Sequence, residues 1–166
     1  MAFLTGEYCH AIDSKGRLTI PAKLRESINA AEEGFGFIAV AMFDKVLYLY
    51  TPNEYRLISP KLAPRLEANA DVRKFKRLRY GMAEHVEVDG LGRILIPDRF
   101  LKRCSLTKDV ALVGCEDHIE VWDRARWDAF SDENVPQQDE LAARVMALVN
   151  DGAAPAAPAP QAAAKT

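Results

Sequence analysis

"IDSKGRLTIP" spans Ile12–Pro21 and "VDGLGRILIP" spans Val88–Pro97. Aligned on Asp13 and Asp89, an offset of 76, the two share Asp, Gly, Arg, Ile and Pro, and Leu18 faces Ile94. At an offset of 72, "VLYLYTPNEY" (Val46–Tyr55) lies on "HIEVWDRARW" (His118–Trp127), with Leu47/Ile119, Leu49/Val121, Tyr50/Trp122 and Tyr55/Trp127 in register. The drop of four predicts a shorter connection in the second copy. Self-similarity of this kind marks an internal duplication, which decides the architecture before any single element does.

Each copy reads as a strand, a turn and a second strand: "EYCHAI" and "RLTI" in the first, "EHVEV" and "RILI" in the second. A short helix should follow, with Pro21 and Pro97 at its first position, where a missing N–H costs nothing. Apolar strands come next, "FIAVAM" with "VLYLY" and "VALVG" with "IEVW". Thr51-Pro52-Asn53-Glu54 has the capping-box pattern of a helix start, and Asp123 is the matching cap in the second copy. One copy, two small hairpins and a short helix, is too little to bury its own apolar faces. Two copies can pair strand with strand around one core. The expected fold is α+β, a pseudo-symmetric β-barrel built from two repeats with flanking helices.

The expected organisation is a first repeat at 5–52, a helical connector at 53–80, a second repeat at 81–124, a C-terminal helical segment at 125–150 and a disordered Ala/Pro-rich tail at 151–166. In the connector, Ser59-Pro60 looks like a helix start, with Leu62 and Leu66 one turn apart. Asp71 is expected to cap "VRKFKRLRYG", whose apolar stripe is Val72, Phe75 and Leu78 and whose stop is Gly81. The rest of that piece is basic: Arg73, Lys74, Lys76, Arg77 and Arg79. Such a face can contact a DNA backbone, dock against another subunit or simply be solvated. Leu141, Val145 and Leu148 recur at helical spacing near the C-terminus. Tyr50, Trp122 and Trp127 read as core or interface aromatics.

Composition narrows the class. The chain has 166 residues, 49% of them hydrophobic, enough for one core or two small coupled ones. No stretch approaches the roughly 18 to 20 apolar residues of a membrane span. "MAFLTGEYCH" lacks the pattern of a secretory signal, so a cytosolic protein is expected. Cys9, Cys104 and Cys115 are an odd number with no CxxC pair, which argues against a disulfide framework or a zinc site. No metal or cofactor is expected. Cys9, His10 and Asp13 are close in sequence, but strand alternation points Cys9 and His10 to opposite faces. Without a GxSxG, P-loop, HExxH or dinucleotide fingerprint, catalysis is not expected.

The net charge of −2 conceals an asymmetry. Residues 1–103 carry 17 Lys/Arg against 13 Asp/Glu, or +4, while residues 104–166 carry 5 against 11, or −6. Polyanion binding depends on local charge, and the front of the chain is basic.

The duplicated turn has a mechanical reading first. The Asp carboxylate can accept a backbone N–H two residues on, and Gly can take the positive φ that the turn needs. Asp13, Gly16, Asp89 and Gly92 fit that reading. Arg17 and Arg93 do not, because a turn needs no guanidinium. Either each arginine staples its own aspartate, or it is a charged planar fork on a stiff ribbon, suited to phosphate or a guanine edge. Lys15 adds a charge to the first turn, where the second has Leu91.

"DSKGRLTIP", its second version and "LVGCEDHIEVWDRARW" resemble the MraZ family of bacterial transcriptional regulators, whose signature is DSxGR. The similarity runs from "MAFLTGEY" to about Asn150. The resemblance implies a tandem swapped-hairpin barrel of the AbrB type, cytoplasmic and nucleoid-associated, assembled as a ring-shaped homo-oligomer. It implies binding to double-stranded DNA at short direct repeats in the promoter of the division and cell wall gene cluster. It assigns DNA contact to Asp13, Ser14, Lys15, Gly16 and Arg17, and to Asp89, Gly92 and Arg93. Gly90 and Leu91 depart from the signature, so the second turn relies on Arg93 and backbone N–H groups. An AbrB-like interaction or antitoxin-type protein is the alternative; it keeps the fold and drops the promoter role.

Overall fold

The computed structural model describes residues 2–59 and 69–152. They fall into two compact units, one through Trp127 and one from Asp128 onward. The first copy supplies β1 (Leu4–Ala11), β2 (Arg17–Thr19), α1 (Ala22–Glu26), α2 (Ala30–Glu33), β3 (Phe37–Ala41) and β4 (Leu47–Tyr50). After α3 (Pro52–Leu57) and α4 (Ala70–Gly81), the second supplies β5 (Glu84–Val86), β6 (Arg93–Leu95), α5 (Asp98–Arg103), β7 (Asp109–Glu116) and β8 (His118–Asp123). α6 (Arg124–Asn134) and α7 (Gln138–Gly152) follow. The four residues by which the first copy is longer correspond to α2, a single turn capped by Asn29, whose side chain accepts from the Ala31 N–H.

Strand order shows how the copies interlock. The large sheet runs β1-β7-β8-β4-β3-β5, and β2 pairs with β6 in a ribbon of its own. Exchanging the copies leaves this order unchanged, because β1 lies on β7 as β5 lies on β3. This exchange of first strands is the swapped-hairpin arrangement that the family resemblance implies. The ladder ends at β1 and β5, and no ladder joins those two among the described residues. One sequence expectation is corrected here. The first two strands of a copy do not form a hairpin with each other: β1 takes β7 as its partner and β2 takes β6. Only β3–β4 and β7–β8 are local hairpins.

Alternation along the strands sorts side chains into one shared core. Leu18, Ile20, Phe37, Leu47 and Leu49 from the first copy meet Ile94, Ile96, Phe100, Leu112 and Ile119 from the second, all essentially without exposure. Neither copy contains this core alone. On the opposite face of the sheet, Val40, Tyr50 and Tyr55 form one small cluster and Val46, Ala111 and Trp122 another. Tyr50 and Trp122 are buried there, as core aromatics.

Several local readings shift by a residue or two. Pro21 and Pro97 are N-caps with extended ψ rather than first helical residues, and their carbonyls accept the opening helical bonds. Thr51 caps α3 as expected, its hydroxyl accepting from the Glu54 N–H at 3.2 Å while donating to Glu33 Oε2 at 2.9 Å. Asp123 accepts from the Arg126 N–H at 3.4 Å and also receives the Thr107 hydroxyl at 2.6 Å. Asn69, not Asp71, caps α4, because its carboxamide oxygen reaches the N–H groups of both Asp71 and Val72. Gly81 is the last helical residue of α4, and Met82 is its C-cap. α7 extends through Asp151 and Gly152, the first two residues of the expected tail. The helix start at Ser59-Pro60, Leu62 and Leu66, and the rest of the tail, lie outside the described residues. Within the second unit, the predicted stripe of Leu141, Val145 and Leu148 is exposed.

Candidate nucleic-acid interface

The two turns are built alike from their aspartates. Asp13 Oδ1 accepts the N–H groups of Lys15 and Arg17, each at 2.9 Å, and the Arg17 Nε–H donates to Asp13 Oδ2 at 2.7 Å. In the second turn, Asp89 Oδ1 accepts from Leu91 at 2.9 Å and Arg93 at 3.0 Å, and the Arg93 Nε–H donates to Oδ2 at 2.9 Å. The Gly16 and Gly92 N–H groups close the turns onto the Asp13 and Asp89 carbonyls, at φ of 77° and 76°. Backbone and side-chain bonds from Arg17 hold the Asp13 carboxyl below its ordinary value. The Arg93 side chain, with its N–H, holds Asp89 down to about 2. Both aspartates are therefore charged at any physiological pH.

These carboxylates grip each arginine by its Nε edge. For Arg17, neither terminal nitrogen has a hydrogen-bond partner among the described residues, and the Arg17 side chain is 33% exposed. Arg93 shares Nη2 with Asp89 at 2.7 Å and is 26% exposed. The Asp–Arg staple is thus present in both turns. Asp holds each guanidinium at its Nε side, and each arginine side chain stays partly exposed.

The interlocked strands set where the two forks stand. β2 and β6 are antiparallel, with Arg17 opposite Leu95, Leu18 opposite Ile94 and Thr19 opposite Arg93. Residues directly opposite share a face, so Arg17, Thr19, Arg93 and Leu95 lie on one side and Leu18 and Ile94 point into the core. The arginines are diagonal neighbours on that outer side, with Cα atoms roughly 7–8 Å apart by antiparallel geometry. Ser14, Lys15, Gly90 and Leu91 are exposed at the turns, while Gly16 is half-buried and Gly92 buried. The sequence reading put each arginine on its own hairpin and missed Thr19 and Leu95 between them. Alternation within "RLT" and "RIL" was the available signal for that face.

A separate group of donors lies on the outer face of the large sheet. Cys115, His118 and Glu120 have ligand atoms within 4.8 Å of one another. Their donors already answer each other: His118 Nδ1 is 2.5 Å from Asp117, its Nε2 is 3.5 Å from Glu120, and the Trp122 indole N–H donates to Glu120 at 2.8 Å. Tyr48 stacks on the His118 ring at 4.6 Å. Burial pushes the Cys115 thiol, with no metal bound, up to about 12. No helix among the described residues is long and apolar enough to cross a membrane.

Residues 3–78 and 80–148 match the family described as "MraZ protein, putative antitoxin-like". Three similar proteins bear the name transcriptional regulator MraZ, which is not the name of an enzyme. That of Heliobacterium modesticaldum is 38% identical over 85% of this chain and 95% of its own length. That of Clostridium tetani is 36% identical over 78% and 88%, and that of Acetivibrio thermocellus 40% identical over 78% and 88%. With the duplicated turn, the exchanged strands and a match over both repeats, the chain belongs to the MraZ family of transcriptional regulators.

Proposed function

We propose that this protein binds double-stranded DNA at short direct repeats in the promoter of the division and cell wall gene cluster, reading them with Arg17 and Arg93. The observation that carries the reading is the β2–β6 ribbon, which presents both arginines on one outward face, each oriented by its aspartate. A two-stranded ribbon fits the DNA major groove, and a fixed guanidinium can donate two bonds to guanine O6 and N7. Ser14 and Lys15 are exposed at the first turn and can meet phosphates, which position a protein without reading sequence, while the N–H groups of Lys15, Gly16 and Arg17 are taken up by Asp13.

A ring-shaped homo-oligomer suits the weak charge of one chain. Repeated copies of the ribbon would engage repeated half-sites, and linked weak contacts gain avidity through effective concentration. The basic face of α4 is then a subunit interface or a solvated face, with DNA backbone contact as the alternative. The setting is cytoplasmic, on the nucleoid.

Titration of the full-length protein onto its own upstream duplex, against the same duplex with scrambled repeats, tests the reading. Arg17→Ala and Arg93→Ala should each weaken binding to the repeats with particle mass by light scattering unchanged. Affinity of the unmodified protein should fall steeply with salt as counterions are released. Equal binding to both duplexes would leave a non-specific binder, and variants that bind like the unmodified protein would remove the ribbon from the interface. An AbrB-like antitoxin role would then be the better account.

A further inference from the structure

The duplication makes α1 and α5 counterparts, and each helix lies beside the turn of the other copy. After Pro21 the chain reads Ala22-Lys23-Leu24-Arg25; after Pro97 it reads Asp98-Arg99-Phe100-Leu101. Leu24 and Phe100 fill matching places in the core. One position on, the copies part. Leu101 lines a hollow with Ile12, Asp13 and Ser14 beside the first turn, whereas Arg25 lines the counterpart hollow with Val88 beside the second.

Arg25 is fixed there by its backbone surroundings. Its Nε–H donates to the Ile20 carbonyl at 3.0 Å, and the Ile20 N–H donates to the Gly92 carbonyl at 2.9 Å. A Cβ on Gly92 would lie 2.6 Å from Arg25 Cζ and 2.9 Å from its Nη2. The guanidinium therefore rests against the turn in the space that the missing side chain leaves. Arg25 itself is exposed, and its Nη groups have no hydrogen-bond partner among the described residues.

The charge pattern of the two turns then balances. The first carries Arg17 on the ribbon and Lys15 at its tip, and the second carries Arg93 on the ribbon and uncharged Leu91 at its tip. We infer that Arg25 is the second cation of the second turn, a DNA phosphate contact that reaches it from the other copy's helix and stands in for Lys15. The inference rests on the reading that the ribbon binds DNA. A guanidinium already held at Nε loses less freedom on meeting a phosphate than a free lysine stem does, so one fixed cation can match one mobile one.

The test uses the full-length protein and the upstream duplex with intact repeats, titrated across a salt series. Arg25→Leu should bind about fivefold more weakly near 0.15 M salt, and the slope of log affinity against log salt should flatten by about 0.9 for each engaged subunit. Lys15→Leu should do the same. Arg25→Lys should keep the slope, and Leu91→Lys should restore it in the Arg25→Leu background, which a purely structural tie to Ile20 would not allow. Thermal unfolding checks that the variants fold; if Arg25→Leu does not, Arg25→Gln carries the comparison. Wild-type affinity and slope in the folded neutral variant, with Arg93→Ala impaired, would overturn the inference and leave the ribbon reading standing. A slope lost equally in Arg25→Lys would also overturn it. If Arg17→Ala and Arg93→Ala both bind like the unmodified protein, the ribbon reading falls and Arg25 falls with it.

Discussion

In the first turn the Asp13 N–H meets the Arg17 carbonyl at 2.9 Å; in the second the Asp89 N–H meets the Arg93 carbonyl at 2.8 Å. The aspartate, the glycine and the arginine Nε bond match as closely. Between those fixed points the chemistry differs. Ser14 and Lys15 offer a hydroxyl and a charge, whereas Gly90 and Leu91 offer neither, and Leu91 is 70% exposed. The comparison separates two jobs within one motif. Asp and Gly carry the backbone geometry, so they recur, and the tip residues between them are free to diverge.

Substitutions can press on either half of that contrast. On the inner side of the ribbon, Leu18 and Ile94 face each other in the core. Leu18→Ala and Ile94→Ala should each lower stability by about 2–5 kcal/mol in urea unfolding, through lost burial and the cavity left behind. A cost confined to one of the pair would break the symmetry of the inner face. On the outer side, Arg17→Ala combined with Arg93→Ala should weaken repeat binding by about a hundredfold, since good bidentate contacts contribute about 1–3 kcal/mol each. Fluorescence anisotropy at fixed salt measures this, and an unchanged unfolding midpoint separates it from the inner-face effect.

The helix caps sharpen the comparison further. Thr51→Ala and Asp123→Ala remove N-caps from the two copies, each worth about 1 kcal/mol. Both losses should move toward the upper end, about 2 kcal/mol, because Glu33 Oε2 loses its hydroxyl donor in one and the Thr107 hydroxyl loses its acceptor in the other. The smallest effect concerns pH. A carboxyl whose pKa is depressed on folding contributes stability above its ordinary pKa and loses it as pH falls through the lowered one. For Asp89 that window runs from its ordinary 3.8 down to about 2. NMR titration should place its inflection near the lower figure, Asp13 should also titrate below its ordinary value, and DNA affinity should show no step from either turn at roughly pH 5–8.

The repeat could be read from the sequence because five residue identities and a fixed offset survive in linear order. Strand content and the Thr51 and Asp123 caps were legible for the same local reason. Which strand pairs with which was not, since alternation in "RLT" says that one face is buried and nothing about the partner 76 residues away. Hence two hairpins were expected where the copies exchange strands. Asp71 looked like the cap of α4 because acidic residues suit a first turn, yet Asn69 has the oxygen in reach. Arg25 does not stand out in the sequence, because a basic residue in a short helix is ordinary. Its place against Gly92 comes from packing between copies, and only the pairing of Arg25 with Leu101 in the repeat alignment could have pointed to it.

The exchange of first strands also sets an order on synthesis. Leu4 pairs with Glu116, so β1 leaves the ribosome more than a hundred residues before its ladder partner exists. The β3–β4 and β7–β8 hairpins close locally and quickly, while the long-range β1–β7 and β2–β6 ladders are slow to form. Until β7 arrives, β1 has open backbone groups, the kind of edge that invites wrong partners. A nascent or truncated chain ending before Arg93 carries the complete first signature and has no ribbon on which to display it. Arg17 becomes a presented residue only when nearly the whole duplicated fold has been made.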